Sequence, residues 1–234
     1  FDMTVNQPVG KDLGGLREDT FAFYYIGQFL ERKSPLETLI AYFTEFKPEE
    51  NVCLVMKTYK QITNPGGAED KQFIKDQILS VKELLHLGTY PPVQLITDPL
   101  DQQDILSIHK RGNCLVLPSK AEGWSYVHME AMLLGKPAIG TRYGSNLEFM
   151  NDSNSLLVDQ TITPVFGMPW GHYRGDMLWS QPSIMSIRQK MRWAFTNREE
   201  ASRLGQKAQE DIKSNYSWQR VGQILKERLV QISG

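Results

Sequence analysis

The residues of this chain best suited to chemistry lie between Pro118 and Pro137, where two glutamates have seven residues between them. The first, Glu122, precedes a glycine, and the second, Glu130, falls in a run with apolar residues at helical spacing. A helix that begins after a glycine turn presents free N–H groups and the positive end of its dipole, which favours phosphate. Carboxylates beside such a site accept hydrogen bonds from hydroxyl groups, as acidic residues do from ribose in dinucleotide folds. The segment therefore predicts a site for a nucleotide sugar.

The elements that position this segment are predicted to be a strand, a glycine turn and a helix. Residues 114–117 form a short apolar run that is typical of a buried parallel strand. Ser125 is available to cap the following helix. Gly135 and Pro137 end that helix, because glycine favours its C-terminus and proline cannot continue it.

The rest of the chain alternates apolar runs with amphipathic helices. Ser34, Pro35 and Glu37 have the spacing of a capping box at the start of the first helix. The alternation predicts a Rossmann-like, doubly wound parallel sheet of about six strands with helices on both faces, an α/β fold. The predicted strands cover residues 21–26, 52–56, 93–96, 114–117, 138–140 and 156–158. Helices are predicted over residues 68–87 and, in the last third of the chain, over about 182–197, 199–214 and 218–232.

Composition and charge exclude several classes of protein. The chain has 234 residues, of which 41% are hydrophobic, and a net charge of −1, so it can build a core and has no basic block for nucleic acid. Its apolar runs are shorter than the roughly 20 residues that cross a bilayer. Cys53 and Cys114 fall in strand-like runs and are expected to be buried thiols, which favours a cytoplasmic location. Residues 1–20 are expected to be a leader or linker, and residues 21–234 a single domain.

The central segment resembles the donor-site signature of retaining glycosyltransferases of family 4, which have the GT-B fold. The matching residues occur in the family's order and are Pro118-Ser119, Glu122-Gly123, Glu130-Ala131-Met132 and Gly135-Lys136-Pro137. The resemblance implies the C-terminal, donor-binding half of an enzyme that transfers a sugar from a nucleotide diphosphate sugar to an acceptor hydroxyl. It covers residues 21–160 well and leaves no room for the N-terminal acceptor domain, which is expected to be missing or on another chain. Residues 182–232 would pack toward that domain, and the chain alone is expected to be inactive.

The resemblance also implies roles for residues near the first strand. In the family, an arginine and, five residues later, a lysine hold the diphosphate, and here Lys33 stands at the lysine position. Gln28 stands at the arginine position and brings no charge, so Arg32 is the residue expected to compensate. The loop Asp98-Pro99-Leu100, after the third predicted strand, is expected to seat the nucleotide base.

Roles in the central segment follow in the same way. Glu122 is expected to lie near the donor sugar as the catalytic residue, where it would position the sugar or stabilise developing positive charge. Glu130 is expected to bind ribose, and Gly123, Trp124 and Ser125 to meet the diphosphate. His128 is expected to be a surface or packing residue, and Glu148 a structural one. The aromatic stretch from Val165 to Trp179 could form a carbohydrate platform or an interdomain surface, and the favoured interpretation is a loop held over the helices by its own large side chains.

The chain contains no Asp-x-Asp pair, so no metal is expected, and Lys33 with the helix N-terminus would neutralise the leaving group. No cofactor is expected beyond the substrate, a UDP- or GDP-sugar. The expected partners are that donor and the acceptor domain, through which peripheral membrane association is possible. Two alternatives stay open. One is a relative with other nucleotide-sugar chemistry, such as an epimerase, and the other is a non-catalytic interaction domain.

Overall fold

The six apolar runs form one parallel sheet. In the computed structural model, which describes residues 16–60, 66–166, 168 and 173–233, the strand order is β3-β2-β1-β4-β5-β6. The strands are β1 (Phe21–Gln28), β2 (Val52–Tyr59), β3 (Val93–Ile96), β4 (Cys114–Leu117), β5 (Ala138–Thr141) and β6 (Leu156–Val158). All five neighbouring pairs are parallel, and the order reverses between β1 and β4. In such sheets ligands bind beyond the carboxyl ends of the strands at this reversal.

Helices cover both faces of the sheet, as the doubly wound prediction requires. They are α1 (Pro35–Glu45), α2 (Ala68–Leu85), α3 (Gln102–Arg111), α4 (Tyr126–Leu133), α5 (Ile184–Thr196), α6 (Arg198–Asn215) and α7 (Trp218–Ser233). Alternate residues of β1 face opposite layers, because successive side chains of a strand point to opposite sides. Tyr24 contacts His109 of α3, while Phe23 packs on Phe46, just after α1, with ring centroids 5.5 Å apart. Cys53 and Cys114 are buried free thiols, as predicted.

The prediction that the side chains of Ser34 and Ser125 cap α1 and α4 is wrong. Ser34 and Ser125 occupy the positions before α1 and α4, but both have left-handed backbones, with φ of 53° and 52°, and neither side chain caps its helix. Ser34 also ends a short 3-10 helix, Glu31–Lys33, and this double role imposes its conformation. Glu37, the expected partner in the capping box, instead forms an ion pair with Lys120 (3.0 Å) and accepts a hydrogen bond from Gln181 (2.9 Å).

A two-stranded antiparallel ribbon, β7 (Gln160–Pro164) and β8 (Leu178–Pro182), lies outside the main sheet. The prediction of a loop from Val165 to Trp179 is therefore wrong at its end, since Trp179 belongs to β8. Trp179 is buried, and the Lys120 ammonium lies 5.1 Å from its ring centroid. Phe166 is exposed, and Trp170 and His172 lie outside the described residues. The ribbon is thus fastened to the loop that follows β4.

The C-terminal helices form close to the predicted bounds. Ser217 caps α7, with its Oγ accepting a hydrogen bond from the Arg220 N–H at 3.3 Å. Every residue of α7 is exposed, including its apolar stripe of Val221, Ile224, Leu225 and Leu229. Packing of this helix against another domain stays a prediction. Among the described residues, no helix combines the length and apolar character needed to cross a membrane.

The predicted leader lies mostly outside the described residues, which begin at residue 16. Arg17 and Thr20 both donate hydrogen bonds to Asn51, just before β2. The last residues of the predicted leader are therefore attached to the domain.

Candidate functional site

The site is built where the loops after β1 and β4 meet at the rim. Lys33, at the end of the 3-10 helix, places its Nζ 2.5 Å from Oε1 of Glu122. Arg32 donates to Oε2 of Glu122 at 3.3 Å and to the carbonyl of Ala121 at 2.8 Å. The backbone N–H of Lys120 donates to the Arg32 carbonyl at 2.8 Å, which holds the two loops together. The structure therefore brings Glu122 together with Arg32 and Lys33, which are 90 and 89 positions away in the sequence.

Burial strengthens the electrostatic interactions among Lys33, Arg32 and Glu122. The Glu122 side chain is only 7% exposed and that of Lys33 only 16%. Burial raises the pKa of Glu122, but Lys33, Ser119 and Arg32 together outweigh it, so the pKa lies below the usual range. Burial also lowers the pKa of Lys33, and the Glu122 carboxylate opposes that change. A cation pair facing one ionised carboxylate leaves net positive charge for an anionic ligand.

A cavity of about 560 Å³ lies beside this cluster. Its walls come from the carboxyl ends of β1 and β2, from the segments that follow β1 and β3, and from the first turns of α3 and α4. It is lined by Ile26, Gly27, Gln28, Arg32, Lys33, Lys57, Tyr59, Pro99, Leu100, Ile105 and Val127. The predicted base loop contributes Pro99 and Leu100, while Asp98 is exposed on the same loop. Gln28, which stands at the family's arginine position, donates a hydrogen bond to the Lys60 carbonyl at 2.9 Å. The arginine that contacts Glu122 is Arg32.

Lys57 is a cavity residue that the sequence reasoning missed. It ends an apolar run on β2 and is 7% exposed, and it forms no ion pair with any residue of the described part of the chain. Burial lowers its pKa, whereas Asp98 and Asp70 act in the opposite direction. The sequence shows only that this lysine directly follows the apolar run of residues 52–56, which by itself does not single it out. A buried cation in a cavity marks a candidate ligand contact.

The start of α4 borders the same rim. Ser125 donates from Oγ to Nδ1 of His128 at 2.5 Å, and Nε2 of His128 lies 3.3 Å from the Ile139 carbonyl. His128 is 1% exposed, so it is a packing residue and not a surface one. Gly123 is exposed at the turn, and the Trp124 ring packs on Phe149, with centroids 5.5 Å apart.

The turn at residues 144–148, which follows β5, supports the loop that carries Glu122. Ser145 donates from Oγ to the Glu122 carbonyl at 2.9 Å. Glu148 is exposed, and its contact is through the backbone, where its carbonyl accepts a hydrogen bond from the Tyr216 hydroxyl at 2.5 Å. These contacts agree with a structural role for this turn.

Glu130 lies one helical turn beyond Val127 on α4. Its Oε2 is 3.5 Å from Nε2 of His109, whose Nδ1 is 3.1 Å from the Tyr24 hydroxyl. The Glu130 side chain is 22% exposed, whereas His109 is fully buried. The two predicted glutamates therefore occupy different environments, one in an ion-paired cluster at the rim and the other against a buried histidine.

Acid should destabilise the fold through His128. Burial lowers its pKa to about 4 from an ordinary value of 6.5, so between these values the unfolded chain binds a proton that the folded chain does not. Stability should fall with decreasing pH across this window by about 1.4 kcal/mol for each pH unit. Urea unfolding at pH 7 and pH 5 measures this decrease in the free energy of unfolding. The decrease should be about 2 kcal/mol smaller in His128→Gln than in the wild-type chain. The exposed His86→Asn variant serves as the control, and an unchanged pH dependence in His128→Gln would contradict the assignment.

The fold is a Rossmann-like domain with a cavity, lined by the cationic side chains of Arg32, Lys33 and Lys57, at its strand reversal. The sequence matches the family described as glycosyl transferases group 1 over residues 14–164, which is more than half of the chain. The chain belongs to this family, and its fold is that of one half of a GT-B enzyme.

Solved structures with the same fold support that assignment. The C-terminal domain of the group 1 family protein LpcC from Francisella tularensis has 18% identity and a TM-score of 0.63, over 85% of this chain and 87% of that one. HepE from Anabaena, solved with UDP and glucose, has 15% identity and a TM-score of 0.69, over 99% and 55%. Sucrose-phosphate synthase from Thermosynechococcus elongatus has 20% identity and a TM-score of 0.62, over 93% and 46%. The chain thus spans about half the length of the last two. A search among curated proteins found no match.

Proposed function

We propose that this chain is the donor-binding half of a retaining glycosyltransferase of the family 4 type. It would bind a nucleotide diphosphate sugar, whose sugar is transferred to an acceptor hydroxyl. The observation that carries the proposal is the meeting of Lys33, Arg32 and Glu122 at the start of α4, beside the 560 Å³ cavity. The family and the solved structures of HepE with UDP support the same class of ligand.

The arrangement suits a diphosphate linked to a nucleoside. Lys33 and Arg32 supply two cations, and α4 directs its N-terminus toward the same rim, where phosphate is favoured. The cavity extends from these cations to Pro99 and Leu100, which gives the base an apolar wall. Lys57 places a third cation along this path. The uncharged Gln28, at the position where the family has an arginine, therefore reduces the positive charge of the site but does not remove it.

Glu122 has two successive roles in this proposal. Without donor, its carboxylate neutralises Lys33 and Arg32 and keeps both side chains in place. When the diphosphate binds, the cations turn to the phosphate oxygens, and the freed carboxylate faces the donor sugar. There it stabilises the positive charge that develops at the anomeric carbon during transfer.

In the proposed reaction, the acceptor hydroxyl attacks the anomeric carbon on the face that the diphosphate leaves. The bond from that carbon to the phosphate oxygen breaks, and the departing oxygen takes the proton of the hydroxyl. Configuration at the carbon is thereby retained. The acceptor-binding groups are proposed to come from another domain, so this chain alone should transfer sugar poorly or not at all.

The proposal is tested by calorimetric titration of the 234-residue chain with UDP-, GDP- and ADP-glucose, with and without EDTA. We expect one nucleotide class to bind and its dissociation constant to be unchanged by EDTA, because the described residues hold no cluster of three or more His, Cys, Asp or Glu that could bind a metal. A chelator-sensitive affinity would overturn metal independence. A folded chain that binds none of the three would favour the non-catalytic interaction domain.

A further inference from the structure

The fully buried His109 lies directly behind Glu130, and the two residues face each other from different helices. His109 follows Ile105 by four residues on α3, and Glu130 follows Val127 by three on α4, so each pair shares a helix face. Ile105 and Val127 both line the cavity. His109 and Glu130 therefore lie one helical turn beyond these cavity-lining residues on the same helix faces, with the Glu130 side chain partly exposed.

The hydrogen bonds favour one tautomer of His109. Burial raises the pKa of the Tyr24 phenol well above its ordinary value, so the hydroxyl keeps its proton. Tyr24 can then donate to Nδ1 at 3.1 Å, which leaves the ring proton on Nε2. Nε2 faces Oε2 of Glu130 at 3.5 Å and has no hydrogen-bond partner among the described residues. The opposite tautomer would set a nitrogen lone pair against a carboxylate.

We propose that His109 is a positioning residue that holds the Glu130 carboxylate in the orientation needed to accept a hydrogen bond from the ribose 2′-hydroxyl. The inference rests on the proposed function, because it requires a nucleotide in the cavity. Nε2 engages Oε2, and the other carboxylate oxygen is left for the ribose. Tyr24 acts one step further back, since its hydroxyl fixes the tautomer. Without this support, a carboxylate that is partly exposed would turn toward water.

The test compares nucleoside diphosphates with their 2′-deoxy counterparts, since the two differ only in the group that Glu130 is proposed to bind. Calorimetry would use UDP, GDP and ADP and their deoxy forms with the 234-residue chain. For the nucleotide that binds best, we expect the wild-type chain to favour the ribose form by roughly 10- to 100-fold. The His109→Leu variant should lower this ratio to about a tenth of its value, with little change in affinity for the deoxy form.

Two further variants separate positioning from packing. His109→Gln places an amide N–H near the position of Nε2 and should restore part of the ratio. The double variant His109→Leu with Tyr24→Phe removes both polar groups, so no buried hydroxyl is left unpaired, and it should behave like His109→Leu. Unchanged discrimination in a folded His109→Leu or double variant would overturn the inference alone. A wild-type chain that binds no nucleotide would overturn both the proposed function and this inference.

Discussion

Replacement of Lys33 by alanine is expected to weaken nucleotide diphosphate binding by roughly 100- to 1,000-fold. Lys33 is largely buried, so its ammonium meets a phosphate with little screening by water. The substitution removes charge-assisted hydrogen bonds to the ligand and leaves Glu122 with only Arg32 as its cation partner in the ion pair. Calorimetry with the preferred nucleotide measures the loss directly.

The control for this variant is Lys207→Ala, which removes the same charge from an exposed ion pair with Asp211 on α6. It should bind the nucleotide as the wild-type chain does. The double variant Lys33→Ala with Glu122→Gln tests whether an uncompensated carboxylate causes the effect, and it should also bind weakly. Wild-type affinity in either Lys33 variant would contradict the placement of the diphosphate.

Replacement of Gly205 by alanine should destabilise the fold by about 3 kcal/mol, at the upper end of overpacking costs. A Cβ at Gly205 would lie 2.2 Å from the Gly135 carbonyl oxygen and 2.9 Å from the Pro137 nitrogen. Both contacts are to backbone, so α6 would have to move away from the turn that ends α4. Because α4 carries part of the site, nucleotide affinity should fall as well.

Gly222→Ala is the matched control, because it is the same change in a neighbouring helix. Nothing lies within 4 Å of a Cβ at this position. Alanine has the higher helix propensity, so this variant should be unchanged or more stable by up to about 1 kcal/mol. Thermal unfolding should show a fall of roughly 6–12 °C for Gly205→Ala. Equal melting temperatures for the two variants would contradict the close approach of α6 to α4.

The parallel sheet could be predicted because its central strands are buried on both faces. Runs such as Cys114–Leu117 are then continuously apolar, and four residues are too few for an ordinary helix. The ribbon β7–β8 was not predicted, because its residues are partly exposed and include Pro164 and Pro182. Strands without a continuous apolar run carry a weaker signal.

The serine caps failed for a reason that spacing does not show. Ser34 stands between a 3-10 helix and α1, so its backbone must serve both, and with this left-handed backbone its side chain makes no capping hydrogen bond to α1. The Glu37 carboxylate is meanwhile engaged by Lys120, which is distant in the sequence. Tertiary contacts therefore replaced a local pairing that the sequence favours.

The candidate site was only partly visible in the sequence. Lys33, Arg32 and Glu122 could be singled out from a motif and its spacing, and the structure places them together. Lys57 and His109 could not, because a single lysine at a strand end and a single histidine on a helix have no distinguishing pattern. Their roles depend on which residues the folded chain sets opposite them, namely the cavity for Lys57 and Glu130 for His109.

A crystal structure of the chain with the nucleotide sugar that binds best would show where the donor lies. We expect the diphosphate oxygens within hydrogen-bond distance of Lys33 Nζ and of the N–H groups at the start of α4. The ribose should lie beside Glu130, and the sugar should lie beside a Glu122 that has separated from Lys33. A nucleotide bound elsewhere, with the ion pair between Lys33 and Glu122 intact, would contradict the account.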